Sequence, residues 1–354
     1  MILNFVGDIM LGRSVGETIK GKGSKFVFEN IIPIIPEADG MIANLEAPFA
    51  TEGRTIANKD PHLTFKIDPE LVSILKYLKI TSVTLANNHI GDYGISAIKA
   101  TRDVLDRNNI SYTGAGSHLS EAIEPIVFVD KKTQESISIL SFNAFVPFTK
   151  TASNKKFGVS RFDYTTLRIA ITKTLSKSNS IIISVHWGID YHQYPIPQLV
   201  HFATKLMDEF PEIIAVVGHH PHLQQPTIYH KGRPIFCSLG NFIFDEPFPL
   251  SRIGSILTLE IENGTIKKHK TLFTKLGQDF KMSPLTHKEA DSEISRLNII
   301  TEKMKTNSIE YKKMDKKWIR YLIYQTIRYR SLNDLSYLIR HYSLSQIIKS
   351  IIIK

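Results

Sequence analysis

Short apolar runs rich in β-branched residues alternate along this chain with segments whose apolar positions recur every three or four residues. The first pattern predicts buried strands and the second amphipathic helices. Strands are expected from Ile2 onward and over 80–86, 126–129, 136–142, 181–186, 213–217, 234–239, 255–261 and 265–273. Asp68-Pro69-Glu70 opens a helix, with Asp68 as N-cap and Pro69 at the first helical position. Leu71, Ile74, Leu75 and Leu78 then share one face. Further helices are expected over 94–108, 165–175 and 197–210. The turn Glu262-Asn263-Gly264 joins the last two strands as a hairpin. The polar, turn-rich segment 48–61 reads as a loop. Early helix–strand alternation followed by late strands predicts an α/β sandwich with helices over its sheets.

Five of the strand-like runs end in a side chain that can ligate a metal. They are Phe5-Val6-Gly7-Asp8, Ile42-Ala43-Asn44-Leu45-Glu46, Thr84-Leu85-Ala86-Asn87-Asn88-His89, Ser184-Val185-His186-Trp187-Gly188 and Val216-Val217-Gly218-His219-His220-Pro221-His222. In open α/β sheets that edge is where ligands bind. Carboxylate, amide oxygen and imidazole together suit borderline divalent metals.

Composition narrows the rest. An apolar share of 42% and a charged share of 22% are ordinary for a globular protein. The single cysteine, Cys237, excludes an internal disulfide and a Cys-rich metal site, and its apolar strand predicts a buried thiol. The chain starts on a strand with no basic leader, and no run reaches membrane-span length, so a cytoplasmic protein is expected. Charge is uneven. Residues 281–354 hold fifteen Lys or Arg against seven Asp or Glu, while the whole chain carries +10. A boundary is therefore expected near 275–285, dividing the chain into 1–278 and a basic helical region, 279–354.

The ordered set Gly7-Asp8-Ile9-Met10-Leu11-Gly12-Arg13, Asn44-Leu45-Glu46, Ala86-Asn87-Asn88-His89, His186-Trp187-Gly188, Gly218-His219-His220-Pro221-His222 and Ser238-Leu239-Gly240-Asn241-Phe242-Ile243-Phe244-Asp245 resembles the capsule-synthesis CapA family. That family is associated with poly-γ-glutamate capsules and is similar in fold to calcineurin-like metallophosphoesterases. The resemblance covers roughly residues 2–275 and implies a four-layer, metallophosphoesterase-like α/β sandwich. The C-terminal helical appendage lies beyond it.

The resemblance also implies a ligand set. Asp8 stands as an anionic ligand and Glu46 as the bridging carboxylate, where the wider superfamily mostly has Asp. Asn88 and His89 match the superfamily's Asn-His pair, with the amide on metal and His89 facing the leaving group as proton carrier. His186 is a further ligand. Where typical relatives place a ligand His two residues beyond the first Asp, this chain has Met10, a poor partner for such metals. His220 and His222 have His-x-His spacing, which on an extended segment puts both rings on one side and turns His219 away, beyond the ligands. The pairing of His219 with His222 stays open. Arg13 and Lys66 fall in loops expected near the metal edge, suited to an anionic substrate. Asn241 either bonds a ligand or shapes its turn. Asp190, Tyr191 and His192 are weaker candidates.

One or two divalent ions (Mn, Zn, Fe or Mg) are thus expected. The first functional reading is a metal-dependent hydrolase or transferase acting on a phosphoester or amide of a polyanionic envelope precursor. A second is an epimerase or lyase at an amino-acid or peptide Cα. A third is a non-catalytic assembly component working with capsule-synthesis proteins. Walker loops, nucleophile elbows and dinucleotide fingerprints are absent from the sequence. The substrate is expected to be an anionic small molecule or polymer.

Over 309–329, Tyr311, Trp318, Ile319, Leu322, Ile323 and Ile327 alternate with Lys312, Lys313, Lys316, Lys317, Arg320 and Arg328; Arg330 follows, and 347–353 is apolar. This basic amphipathic pattern leaves two placements open: packing on the core, or peripheral contact at the inner face of an anionic membrane. Nucleic acid is not expected as a partner, because no recognition motif accompanies the charge.

Overall fold

The computed structural model describes residues 1–51, 59, 61–144 and 150–329. Most of the expected 48–61 loop, Arg330 and the 347–353 stretch lie outside the described residues. Two sheets lie face to face. The first runs Met282–Pro284, Thr265–Leu276, Ile253–Glu262, Ile2–Ile9, Gly40–Leu45, Ser82–Thr84 and Ser111–Thr113, with Asn241–Ile243 also joined to Ile2–Ile9. The second runs Gln224–His230, Arg233–Leu239, Ile213–His219, Ser180–His186, Ser136–Asn143 and Ile126–Val129.

Side-chain alternation explains the layering. Leu3, Phe5, Leu257 and Leu259 from the first sheet meet Ile139, Ile182, Ala215 and Val217 from the second. The outer side of the first sheet packs Val83 and Leu45 against Val15, Ile19, Leu75, Ile98 and Leu105 of its helices. The outer side of the second packs Ile181 and Val216 against Leu167, Ile171, Leu199 and Leu206. The result is helix, sheet, sheet, helix, as expected. The predicted helices form within a few residues of the expected limits: Gly94–Arg107, Tyr164–Thr174 and Pro197–Glu209. Asp68 caps as expected, its Oδ1 accepting from Glu70 N at 3.1 Å, although the first turn, Pro69–Leu71, is a 3-10 turn ahead of the helix Val72–Tyr77. Asn263 and Gly264 take φ of 50° and 67°, the left-handed pair a tight hairpin needs.

Three expectations need correction. The 80–86 strand shortens to Ser82–Thr84, because Asn87 turns the chain by accepting from His89 N and Ile90 N at 3.1 and 2.8 Å. Arg13 opens the helix Arg13–Lys22 rather than sitting in a loop, since Val15 and Ile19 give that segment a buried face.

The third concerns the C-terminal region. It is helical, with helices His287–Lys305 and Ile309–Tyr329, but it is not set apart from the core. The boundary expected after 278 falls between Thr265–Leu276 and Met282–Pro284, which are neighbours in one sheet. Beyond it, Met314, Trp318 and Ile319 are buried in the same core cluster as Leu199, Met207 and Cys237. Burying a side chain of this kind contributes roughly 1.5–3 kcal/mol. The apolar face through Trp318 is therefore spent on the protein core. Lys312, Lys313, Lys316, Lys317 and Arg320 face outward. Among the described residues no helix is long and apolar enough to cross a membrane.

Candidate functional site

Parallel pairing brings the strand ends to one edge. Ile2–Ile9, Gly40–Leu45 and Ser82–Thr84 run parallel in the first sheet, as do Ser136–Asn143, Ser180–His186, Ile213–His219 and Arg233–Leu239 in the second. Asp8 stands opposite Asn44 and Asn241, and His186 opposite His219 and Asn143. Gly7 permits the crossing: a Cβ there would sit 2.0 Å from Gly240 O. That contact holds the Asn241 strand against Asp8.

Two donor groups result. Glu46, His186 and His220 form one; Asp8, Glu46 and His222 form the other. Within each group the potential ligand atoms lie within 4.8 Å of one another, a spacing one ion can bridge. Glu46 belongs to both. Its Oε1 is buried and accepts no hydrogen bond among the described residues, although His186 Nε2 is 3.4 Å and His222 Nε2 3.9 Å away. A buried carboxylate oxygen without a donor is costly. A cation placed there would compensate it, and the carboxylate–imidazole–amide donor set suits a borderline divalent metal. Asn88 Oδ1 completes the first group, 2.7 Å from His186 Nε2.

Neighbouring residues hold these donors in place. Asn44 Nδ2 donates to Asp8 Oδ1 at 2.8 Å and to Glu46 Oε2 at 3.3 Å, tying the two acids together. Asn87 Nδ2 in turn donates to Asn44 Oδ1 at 3.1 Å and to Leu45 O at 2.8 Å. Asn241 Oδ1 lies 2.8 Å from His222 Nδ1, and its Nδ2 donates to Ser251 O. Asn241 therefore orients His222. That bond fixes the His222 tautomer and leaves Nε2 toward Glu46.

The histidine turn differs from the extended segment expected. His220 and His222 take φ of 98° and 56° around Pro221. Their rings serve different groups, because the strand ends at His219 and the chain reverses. His219 does not turn away: its Nδ1 lies 3.0 Å from Asp8 Oδ1. Met10 is buried, its Sδ accepting from Gly12 N at 3.1 Å.

The sequence profile of the bacterial capsule synthesis protein PGA_cap family matches residues 2–246. The chain belongs to this family. It is 31% identical over 263 residues to a PGA biosynthesis protein CapA of Bacillus subtilis (strain 168), covering 74% of this chain and 68% of that one. It is 30% identical over 272 residues to a capsule biosynthesis protein CapA of Bacillus anthracis, covering 75% of this chain and 65% of that one. The chain thus spans about two thirds of these relatives' length. Among solved structures, the calcineurin-like phosphoesterase YfkN from Bacillus subtilis is similar at 13% identity and a TM-score of 0.43, over 84% of this chain and 96% of that one.

Beside the PGA_cap donor set lies a second buried cluster that the residue pattern did not reveal. His89 Nδ1 is 2.8 Å from Asp92 Oδ2, and Lys59 Nζ pairs with Asp92 while lying 3.1 Å from His89 Nδ1. Phe65 stacks on His89 at 4.2 Å, and its N donates to Asp92 at 2.8 Å. Asp92 follows His89 by three residues across a turn, its N donating to His89 O at 3.0 Å, a spacing that could have flagged it. Lys59 carried no signal, because it ends no strand-like run in the sequence. Of the two expected substrate cations, Arg13 lies 5.1 Å over the Phe65 ring with Nε 3.4 Å from Asp245, and Lys66 donates to Thr51 O at 3.0 Å.

Burial and charge set the protonation. Burial pushes Asp8 upward, but the His219 bond and the neighbouring imidazoles outweigh it and hold the carboxyl below its ordinary range. Glu46 is raised well above its ordinary value by burial and by the charge of Asp8. Burial and Lys59 push His89 down to about 4, so it stands neutral near pH 7. Burial also lowers His186 and His220, the form a metal requires. His222 is raised, since Asp8 and Glu246 overcome its burial.

Proposed function

We propose that this PGA_cap chain is a metal-dependent hydrolase or transferase acting on a phosphoester or amide of a capsule-type polyanion precursor. The observation that carries the reading is the unsatisfied Glu46 oxygen shared by two donor groups at one sheet edge. Asp8, Glu46 and His222 would hold one divalent ion, and Glu46, Asn88, His186 and His220 a second. When bound, such ions supply Lewis acidity toward a water and toward charge developing on a phosphoryl or acyl oxygen.

The chain's own residues do the remaining work. Asp92 accepts from His89 Nδ1 and is itself held by Lys59, so a neutral imidazole is presented as a proton carrier with its other nitrogen available. Asn44 keeps the two acids from spreading. Arg13, 45% exposed, offers a guanidinium to an anionic group. The relatives' names, PGA biosynthesis and capsule biosynthesis, support an association with synthesis machinery. Metal analysis of the purified chain, followed by turnover of a p-nitrophenyl phosphate ester and of a γ-glutamyl amide, tests the reading. A protein that takes up no divalent metal would refute it. Full loading with no turnover of either would favour the assembly role.

A further inference from the structure

His89 is gripped across its plane as well as at its nitrogen. Asp92 holds Nδ1, but one hydrogen bond leaves a ring free to turn about the line of that bond. Phe65 removes the freedom. Its ring lies 4.2 Å from the imidazole at an interplanar angle of 26°, a stacked pair. Its backbone N donates to Asp92 Oδ2 at 2.8 Å, the same oxygen that accepts from His89 Nδ1. One residue thus braces both the imidazole plane and the carboxylate that orients it.

Phe65 is itself held on several sides. Phe244 meets its ring edge-on at 5.4 Å, Arg13 Cζ lies 5.1 Å from its centroid, and the residue is 4% exposed. Its chain neighbours are fixed through the backbone. Ile67 N donates to Pro48 O at 2.8 Å, and Ala50 N to Ile67 O at 2.9 Å. A Cβ on Gly12 would sit 2.1 Å from Lys66 O, so the two backbones touch there. Core packing alone would accept any apolar side chain of this size. It does not call for a ring laid nearly parallel to an imidazole.

We propose that Phe65 is the positioning residue of the His89 proton carrier. The inference rests on the hydrolase reading above and deepens it. With Nδ1 on Asp92 and the ring plane set by Phe65, the direction of Nε2 is determined. A reacting group therefore meets that nitrogen in one orientation. Misplacing such a group by about 1 Å can cost about a hundredfold in rate.

The test uses the full chain loaded with Zn²⁺, on whichever probe it turns over, the p-nitrophenyl phosphate ester or the γ-glutamyl amide. Phe65→Leu and Phe65→Met keep an apolar side chain and remove the flat ring. Each should lower kcat about tenfold to a hundredfold, with KM and metal content unchanged. On the residual turnover of His89→Ala, adding Phe65→Leu should cost no more than about twofold, because the two residues act as a unit. The ¹⁵N signals of His89, identified by their loss in His89→Ala, should show one Nδ1-protonated tautomer in wild type and a mixture in Phe65→Leu. Losses that multiply in the double variant would overturn the positioning role, as would a raised KM at unchanged kcat. An unchanged His89 tautomer in folded Phe65→Leu or Phe65→Met would do the same. Metal-loaded wild type that turns over neither probe would refute the hydrolase reading, and the His89 spectrum would then decide Phe65 by itself.

Discussion

The strand-end edge and the helix Ile309–Tyr329 both set charged residues beside apolar ones, yet they use the charges in opposite ways. At the edge, Asp8, Glu46, His186 and His220 are buried, each within ligating distance of another donor, and Lys59 is buried against Asp92. On the helix, the lysines stand in water, and the burial belongs to Met314, Trp318 and Ile319. Charges withdrawn from water need partners and so define a site, whereas charges left in water are compatible with a purely structural role. The family match ends at 246, so the helix lies beyond it although the core includes the helix.

The largest expected effect breaks this comparison from the helix side. A chain ending at 305 loses Trp318 and its neighbours from the second core cluster. Trp318→Ala alone should cost about 3–5 kcal/mol, as large-to-small core changes do. The truncated chain should therefore aggregate or melt at a markedly lower temperature, read by thermal denaturation and gel filtration. A truncated chain that stays monomeric with an unchanged melting temperature would return 279–354 to the status of an appendage.

Next in size is Lys59→Met. It strips the partner from a buried carboxylate, and breaking a buried pair from one side costs about 3–5 kcal/mol. Asp92→Asn in the same chain should recover part of that loss, because the uncompensated charge is gone. A double mutant no more stable than Lys59→Met would show that Lys59 acts by packing alone.

The third prediction concerns metal and pH. Glu46 holds its proton more tightly folded than unfolded, so protonated Glu46 stabilises the metal-free protein at low pH. That contribution is lost as pH rises past the ordinary carboxyl value of 4.5 and through the raised one. A divalent ion replaces the proton, so its stabilising effect should grow with pH over that window. It should reach about 2.7 kcal/mol at a hundredfold excess over Kd. Glu46→Gln should abolish both the pH trend and the gain. A metal-induced rise in Tm that survives Glu46→Gln would remove Glu46 from the site.

These residues were not equally legible in the chain. Asp8, Glu46, Asn88, His186 and the histidine turn could be read because each follows an apolar run, and parallel strands carry their C-terminal ends to a common edge. The sandwich could be read for the same reason, since helix and strand periods are local. The direction of His219 was not, because it depends on where the strand stops and on left-handed angles at His220 and His222. Lys59 and Asp92 end no strand-like run, so the pattern that marked the other residues passed them by. The fate of Trp318 was open because an amphipathic helix shows which face is apolar but not what covers it.

A smaller effect separates two adjacent histidines. His220 belongs to the donor group with Glu46 and His186, while His219 touches Asp8. His220→Ala should lower metal affinity more than His219→Ala, the latter by about 10–100-fold as outer changes do. Equilibrium dialysis on both variants decides it, and a larger loss for His219→Ala would reverse the assignment.

The smallest effect belongs to the outward lysines. Lys316→Glu with Lys317→Glu should leave stability within about 0.5 kcal/mol and metal content unchanged, as surface changes usually do. The membrane expectation can be judged on the same variant. Met314, Trp318 and Ile319 are inside the core, so this face of the helix is not free to insert. Any attraction to anionic vesicles would rest on charge alone, at about 1 kcal/mol per basic residue near the surface. Such binding should vanish in about 0.5 M salt, where screening acts within a few ångströms, and should leave the Trp318 environment unaltered. Salt-resistant vesicle binding accompanied by a change in Trp318 emission would mean that the helix leaves the core for the bilayer, and the contrast between the two regions would fail.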